Sequence, residues 1–509
     1  GLNPILIDTR HQPEQVDHLL RQVNAVALFS QNAVAVSACE CIPVDEVLDM
    51  SGEKCAFEPK WANHYALCTS GTTATSKVYY FEAKTLCEQV KCISALTKDF
   101  AYTDAPYKSL AFLPFHHVFG LLTVFILCNL FGGTIVYLPE LTPEVILKAC
   151  KRHRVTHIFT VPLFWNNITQ NVMRKAKLGG PEREAMLEKL VRVSSNIQRR
   201  FPRAGRKIVK RFVAGKGLDA LFGRDLRLTI TGGGHILPEA LKLMNVLGCQ
   251  LSNGFGMTEL GITSVETTSD FDLRNAASTG KPLYRVEYFV QNDEGIKTEG
   301  VGELLIKTPY LHDGRFIDGV DVGPEVDEEG YFHTGDVGRI DKTGRLWLEG
   351  RLKEVIINES GENVYPDELE DVFLDLPRAE QFCVTGVDTG GTYEQIVMVI
   401  HMGEARSDAK RVAELAESFS KANALLPVFK KVRRVLVAHE PLPLANGIKV
   451  KRQSIRRMIE DGTLVFDELD VREGRLIRAA GTAKAVAAPD TKDGEDLRAI
   501  KDEIKAIFA

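Results

Sequence analysis

The chain has 509 residues, 44% hydrophobic and 26% charged, with a formal net charge of −5. That length exceeds a single hydrophobic core and predicts roughly three domains, while the acidic balance excludes a general nucleic-acid binder and leaves room only for a local basic patch. Ten cysteines are scattered, and the nearest pair, Cys39 and Cys41, has neither redox nor zinc spacing, so free buried thiols in a reducing cytosol are expected.

No signal-peptide pattern opens the sequence, which predicts a cytoplasmic protein, and Gly at position 1 reads as a processed or excised start. Residues 65–68 read as a strand leading into 69–77 (TSGTTATSK), and 84–96 as a helix with one apolar face. Strands are expected at 109–113, 135–138, 157–161 and 226–230, and helices at 143–152 and 238–247, each opened by a proline tolerated in a first turn. The apolar run 121–138 has the length of a membrane span, but Asn129, Gly132, Gly133 and its β-branched second half favour a buried helix, a turn and a strand. Such alternation predicts an α/β fold with parallel sheets covered by helices.

Around residues 280–320 the pattern turns to short strands, a mostly β subdomain. A smaller α+β unit follows from about residue 350, with a strand at 354–358, a helix at 366–376, a strand at 395–401, a helix at 408–424 and a strand at 434–437. The expected division is thus 1–349, 350–470 and a tail 471–509, which from about Arg475 has linker composition and ends in an amphipathic helix at 497–508.

Five separated segments carry chemistry. Residues 69–77 cluster six hydroxyls around Gly71 and close on Lys77, a set that donates many hydrogen bonds to phosphate, although this is not a Walker loop. Residues 232–239 (GGGHILPE) put three glycines at a strand's end, where open α/β folds bind ligands. Residues 253–259 (NGFGMTE), 331–336 (YFHTGD) with 350–353 (GRLK), and 443–452 (PLANGIKVKR) complete the series.

Together these segments resemble the signatures of the AMP-forming acyl-CoA synthetase, adenylation-domain and luciferase superfamily, closest to long-chain fatty acyl-CoA or acyl-carrier-protein synthetases. The usual phosphate loop is TSGTTGxPKG; here Ala74, Ser76 and Val78 replace Gly, Pro and Gly. The resemblance implies a large N-terminal domain and a small mobile C-terminal one. It assigns Thr69, Ser70, Gly71, Thr72, Thr73 and Lys77 to the phosphates of ATP, and Gly233 and Gly234 to the strip holding adenine and acyl group. Within the family's YGxTE motif it places Asn253, Gly254, Phe255, Gly256 and Met257 around adenine, Thr258 on phosphate, and Glu259 on Mg²⁺. Asp336 and Arg351 would hold the ribose, and Lys353 would be the hinge.

The same likeness makes Lys449 the residue that bridges carboxylate and α-phosphate during adenylation, with Lys451 a competitor because Asn446-Gly447-Ile448 shifts the motif's glycine by one place. Residues 114–120 (PFHHVFG) resemble P-x-x-H-x-x-G and assign His117 to the acyl pocket and thiol entrance, and Gly361 falls in a loop resembling the thiol tunnel. The implied acceptor is coenzyme A, or phosphopantetheine on an acyl carrier protein; a non-catalytic relative is the other alternative. Residues 1–4 resemble a point inside the usual N-terminal domain, so the family's first elements are expected to be missing. Seven basic and no acidic residues between Arg199 and Arg211, with interleaved apolar ones, suit peripheral contact with an anionic membrane, a carrier protein, coenzyme A, or simply solvent.

Overall fold

The computed structural model describes residues 3–9, 11–49, 63–68, 77–96, 107–212, 218–317, 319–358, 363–388, 393–445 and 449–478. The chain divides into two compact units, Gly1–Glu349 and Gly350–Ala509.

At the heart of the first unit is a six-stranded sheet in the order Gly261–Val265, Leu251–Met257, Leu228–Thr231, His157–Thr160, Lys108–Leu110, Thr134–Val136. All neighbours are parallel except the first pair. Every residue of His157–Thr160 and Leu228–Thr231 is buried, as expected of central strands covered on both faces. The helices Pro143–His153, Pro162–Leu178 and Pro238–Val246 each start with proline, whose missing N–H would be unpaired there anyway. The strands and helices expected in this unit exist, with ends moved by at most three residues.

The apolar run 121–138 becomes a π-helical stretch Leu121–Ile126, an α-helical turn Leu127–Leu130, a glycine turn and the strand Thr134–Val136. No helix among the described residues is long and apolar enough to cross a membrane. The π-helical widening was not legible in sequence. Extra backbone width of this kind is common beside functional sites.

A second sheet runs Ile5–Leu6, His64–Cys68, Val78–Glu82, Gly314–Ile317, Val320–Asp321. Its antiparallel pair His64–Cys68 and Val78–Glu82 frames the phosphate-loop motif, whose residues 69–76 lie outside the described residues. The third sheet is the expected β subdomain, centred on Gly300–Lys307 between Glu287–Asn292 and Phe332–Ile340. Glu266, just past the edge strand of the central sheet, pairs with Arg345 in the turn before Leu346–Arg351; their side chains are 1% and 8% exposed. Removing one partner of so buried a pair strands the other charge. Glu266→Ala should therefore cost about 3–5 kcal/mol, read as a lowered urea midpoint.

The second unit is a five-stranded sheet, Gln381–Asp388, Glu394–His401, Arg434–Ala438, Phe466–Asp470, Arg475–Arg478, with helices Pro366–Val372, Ala409–Ala424 and Arg452–Glu460. Asp408 caps its longest helix by accepting from the Lys410 and Arg411 amides. Two expectations are corrected. The tail does not turn into linker at Arg475: Arg475–Arg478 is an edge strand paired with Phe466–Asp470, and Leu476 packs on the core. The strand expected at 354–358 shrinks to Ile356–Ile357, because Leu352–Glu354 forms a 3₁₀ turn. The helix expected at 497–508 lies outside the described residues.

Candidate active site

The C-terminal ends of the central strands, the place where open α/β sheets bind ligands, border an apolar cavity of about 70 Å³. It is lined by Val118 and Phe119 from the helical turn Val118–Gly120, by Thr123 from the π-helical segment that follows, by Ile230–Gly233, by Gly254–Gly256 and by Ile262 and Val265. No charged side chain is among its described lining, and Thr123 and Thr231 are its polar side chains. Two of the five separated segments, 232–239 and 253–259, therefore meet the 114–120 motif at one cavity.

Close backbone approach makes this possible. A Cβ on Gly256 would stand 2.4 Å from the Gly261 carbonyl oxygen, and one on Gly120 only 2.3 Å from that of Pro114. Both positions need glycine because the obstacle is backbone and cannot swing aside. The second contact explains the terminal glycine of PFHHVFG: it lets the helix start fold back on the Pro114 turn. His117 sits at that start, half-buried, with its ring 4.8 Å from that of His116.

In the 253–259 segment, Asn253 is buried and donates to the Ala277 carbonyl, while its Oδ1 has no hydrogen-bond partner among the described residues. Phe255 is 8% exposed, and its ring joins a cluster with Leu260, Phe332 and Leu346 as well as lining the cavity. Its strand is thereby tied to Phe332–Ile340, which carries buried Asp336; the Asp336 amide donates to Thr334 Oγ1 at 3.0 Å. Met257, Thr258 and Glu259 are half-buried at the strand's end, and Gly233 and Gly234 are exposed.

Beside Glu259 lies a polar cluster that sequence reasoning missed. The His312 amide donates to the Glu259 carbonyl at 2.9 Å, fastening the segment before Gly314–Ile317 to the candidate metal ligand. The His312 ring packs on Tyr79 at 4.6 Å, and its Nε2 accepts the Glu325 amide. Burial foremost, then the Glu259 and Glu325 carboxylates, push the Tyr79 phenol up. Lys77 lies 3.7 Å from Glu325. The signal available in the sequence was weak, since Glu325 stands 248 residues beyond Lys77 with no motif around it.

Among the described residues no group of three or more His, Cys, Asp or Glu forms a metal cage. A single half-exposed carboxylate such as Glu259 fits Mg²⁺, which takes most of its ligands from phosphates and water.

Residues 1–314 match the family model described as AMP-binding enzyme. The chain belongs to this family of AMP-binding enzymes. Malonate–CoA ligase of Arabidopsis thaliana is 26% identical over 437 residues, covering 84% of this chain and 66% of that protein. Long-chain-fatty-acid–CoA ligase FadD13 of Mycobacterium tuberculosis is 28% identical over 327 residues, 64% of this chain and 55% of that protein. The solved o-succinylbenzoate CoA synthetase from Bacillus subtilis, in complex with its acyl-adenylate intermediate, superimposes with a TM-score of 0.66 at 21% identity, covering 89% of this chain and 82% of that one. It shows that the fold is shared. The chain spans about half to two thirds of the lengths of the curated relatives it matches.

In the second unit of this AMP-binding family member, Arg351 ends the strand Leu346–Arg351 and Lys353 lies in the exposed 3₁₀ turn, its carbonyl accepting from Gln453. Gly361 is outside the described residues. Lys449 starts the two-residue strand Lys449–Val450, paired with Leu444–Ala445, and Lys451 follows at the cap of Arg452–Glu460. Arg452, 4% exposed, anchors this segment by pairing with Glu354, with Asp367 at 2.7 Å and with Glu370 at 2.8 Å. Burial foremost pushes the Glu370 carboxyl up, against the opposing pull of Arg452.

The basic stretch is not uniformly solvent-facing. Arg206 turns inward to Gln250, Lys210 donates to the Leu226 carbonyl, and Arg199 pairs with Asp272 at 2.7 Å. Burial holds both the Arg206 and Lys210 groups down. Arg200, Arg203, Lys207 and Arg211 remain exposed, beside half-exposed Phe201.

Burial holds the His312 imidazole down at about 4, below its ordinary 6.5. The unfolded chain therefore binds a proton there that the folded chain refuses, so stability falls as pH drops through that interval. The loss should reach about 3 kcal/mol, and His312→Gln should flatten that part of the urea-midpoint profile against pH.

Proposed function

We propose that this protein is an ATP-dependent, AMP-forming ligase that activates an apolar carboxylic acid, a fatty acid, and passes the acyl group to the thiol of coenzyme A. One observation supports an apolar acid: the cavity beside the glycine strip, which at about 70 Å³ takes only the first few carbons, has apolar walls and no charged group among its described lining. A second carboxylate placed there would be buried without a partner, which costs several kcal/mol. The relative named for long-chain fatty acids is in this respect a better guide than those named for malonate or succinylbenzoate. The relatives' names as CoA ligases favour coenzyme A over a carrier-bound phosphopantetheine.

In this reading a carboxylate oxygen attacks the α-phosphorus of ATP and the bond to pyrophosphate breaks. The thiol sulfur then attacks the acyl carbon, AMP leaves, and the thiol proton goes to solvent. Lys449 meets the negative charge where the two anions converge. Asp336 and Arg351 hold the ribose, and the phosphate-loop hydroxyls with Lys77 hold the phosphates. Glu259 would hold Mg²⁺, which supplies charge neutralisation on those phosphates. His117 borders the acyl group, Lys353 is the pivot of the second unit, Gly361 borders the thiol's path, and the exposed arginines of 199–211 are the surface for peripheral membrane contact.

Pyrophosphate release measured with a panel of acids tests the proposal: straight-chain acids should exceed malonate and succinylbenzoate by at least about tenfold in kcat/KM. A silent panel would make the protein a non-catalytic relative. Lys449→Ala should lower acyl-AMP formation by about a hundred- to a thousandfold and spare thiolysis of supplied acyl-adenylate. Loss only in Lys451→Ala would transfer the role to that residue.

A further inference from the structure

Beyond the motif residues, the second sheet gathers a polyanion cradle around a carboxylate. Val78–Glu82 and Gly314–Ile317 run antiparallel with Arg315 directly opposite Tyr79. Residues opposite each other share a face, as do residues two apart along a strand, so Lys77, Tyr79 and Arg315 all project from one side. Their donors converge on Glu325: Arg315 Nη1 at 2.7 Å, the Tyr79 hydroxyl at 3.3 Å and Lys77 Nζ at 3.7 Å. The carboxylate is 37% exposed and belongs to a stretch, residues 322–331, without helix or strand. Arg315 is 21% exposed, and its buried Nε has no hydrogen-bond partner among the described residues.

We propose that Arg315 is a further binding residue for the β- and γ-phosphates of ATP, and that Glu325 is an internal stand-in for those phosphates. Three donors on one face, two of them cationic, gather around a single carboxylate, and the buried Arg315 Nε keeps an N–H with no hydrogen-bond partner among the described residues. A triphosphate brings more charge and more acceptor oxygens to the same place, next to the lysine that closes the phosphate loop and to Glu259. Arg315 offers a planar fork that matches phosphate oxygens. Glu325, on an irregular and partly exposed stretch, can withdraw. It competes with ATP on entry and, by re-pairing with Arg315 and Lys77, helps expel pyrophosphate. This assignment rests on the ligase reading for its consequence in turnover, but not for the binding itself.

Calorimetric titration of the full-length protein with MgATP and with inorganic pyrophosphate, beside initial-rate kinetics, tests it. Arg315→Ala should weaken both ligands, and raise KM for ATP, by about ten- to a hundredfold, the range of a charge-assisted hydrogen bond, with KM for the acid unchanged. Arg315→Lys should lie between, and decides the matter if the alanine variant proves unfolded by its melting curve. Glu325→Gln should shift the opposite way, tightening both ligands several-fold and slowing pyrophosphate release. Unchanged ligand affinity in the folded Arg315 variants overturns the assignment. Weaker binding in Glu325→Gln overturns the stand-in role, because Glu325 would then only be holding Arg315 in place. Arginine-dependent MgATP binding without turnover on any acid would sink the ligase reading and leave this one standing.

Discussion

Backbone pressed against backbone at the ends of neighbouring strands is the constraint on which the rest depends. At Gly256 and Gly120 the facing atoms are carbonyl oxygens, too close for any side chain. That proximity lets the strand ends and the π-helical segment curve around an apolar space rather than fill it. With larger residues there, His117, the glycine strip and the 253–259 segment would be pushed apart, since packed backbone carbonyls have nowhere to retreat.

Charge is the second organiser. Several anionic groups must share a small region, and each unit answers with buried or half-buried cations. In the first unit Arg315 and Lys77 face Glu325, with Glu259 close to the same Tyr79 ring. In the second, Arg452 gathers Glu354, Asp367 and Glu370, and so fixes the helix that begins three residues after Lys449. At Arg452 a guanidinium serves well because its planar donors meet three carboxylates at once. Arg315 lies outside the recognisable motifs, whereas Arg452 closes the 443–452 segment.

Much of the architecture was legible. Alternating buried strands and proline-started helices mark a parallel sheet whatever its details, and the change to short strands near residue 280 marks the β subdomain. What was misjudged has local causes. Arg475–Arg478 has a charged, edge-strand composition that resembles linker until its pairing with Phe466–Asp470 is seen. The basic stretch reads as one charged surface, yet a helical segment must put some positions inward, and Arg206 and Lys210 occupy them. A π-helical segment has no compositional mark, because its apolar residues suit an α-helix equally.

The sequence by itself determined the family and the motif order, because hydroxyls, glycines and charges at strand ends are local chemistry that a linear reading can find. Only the tertiary structure decided what stands beside them: the apolar walls of the cavity, the inward turn of Arg206, and the meeting of Glu325 with Arg315 and Lys77. Those depend on strand register and on contacts that no local pattern announces, the widest of them joining Lys77 to Glu325 across 248 positions. A single chain carries no record of such pairings until its sheets are formed.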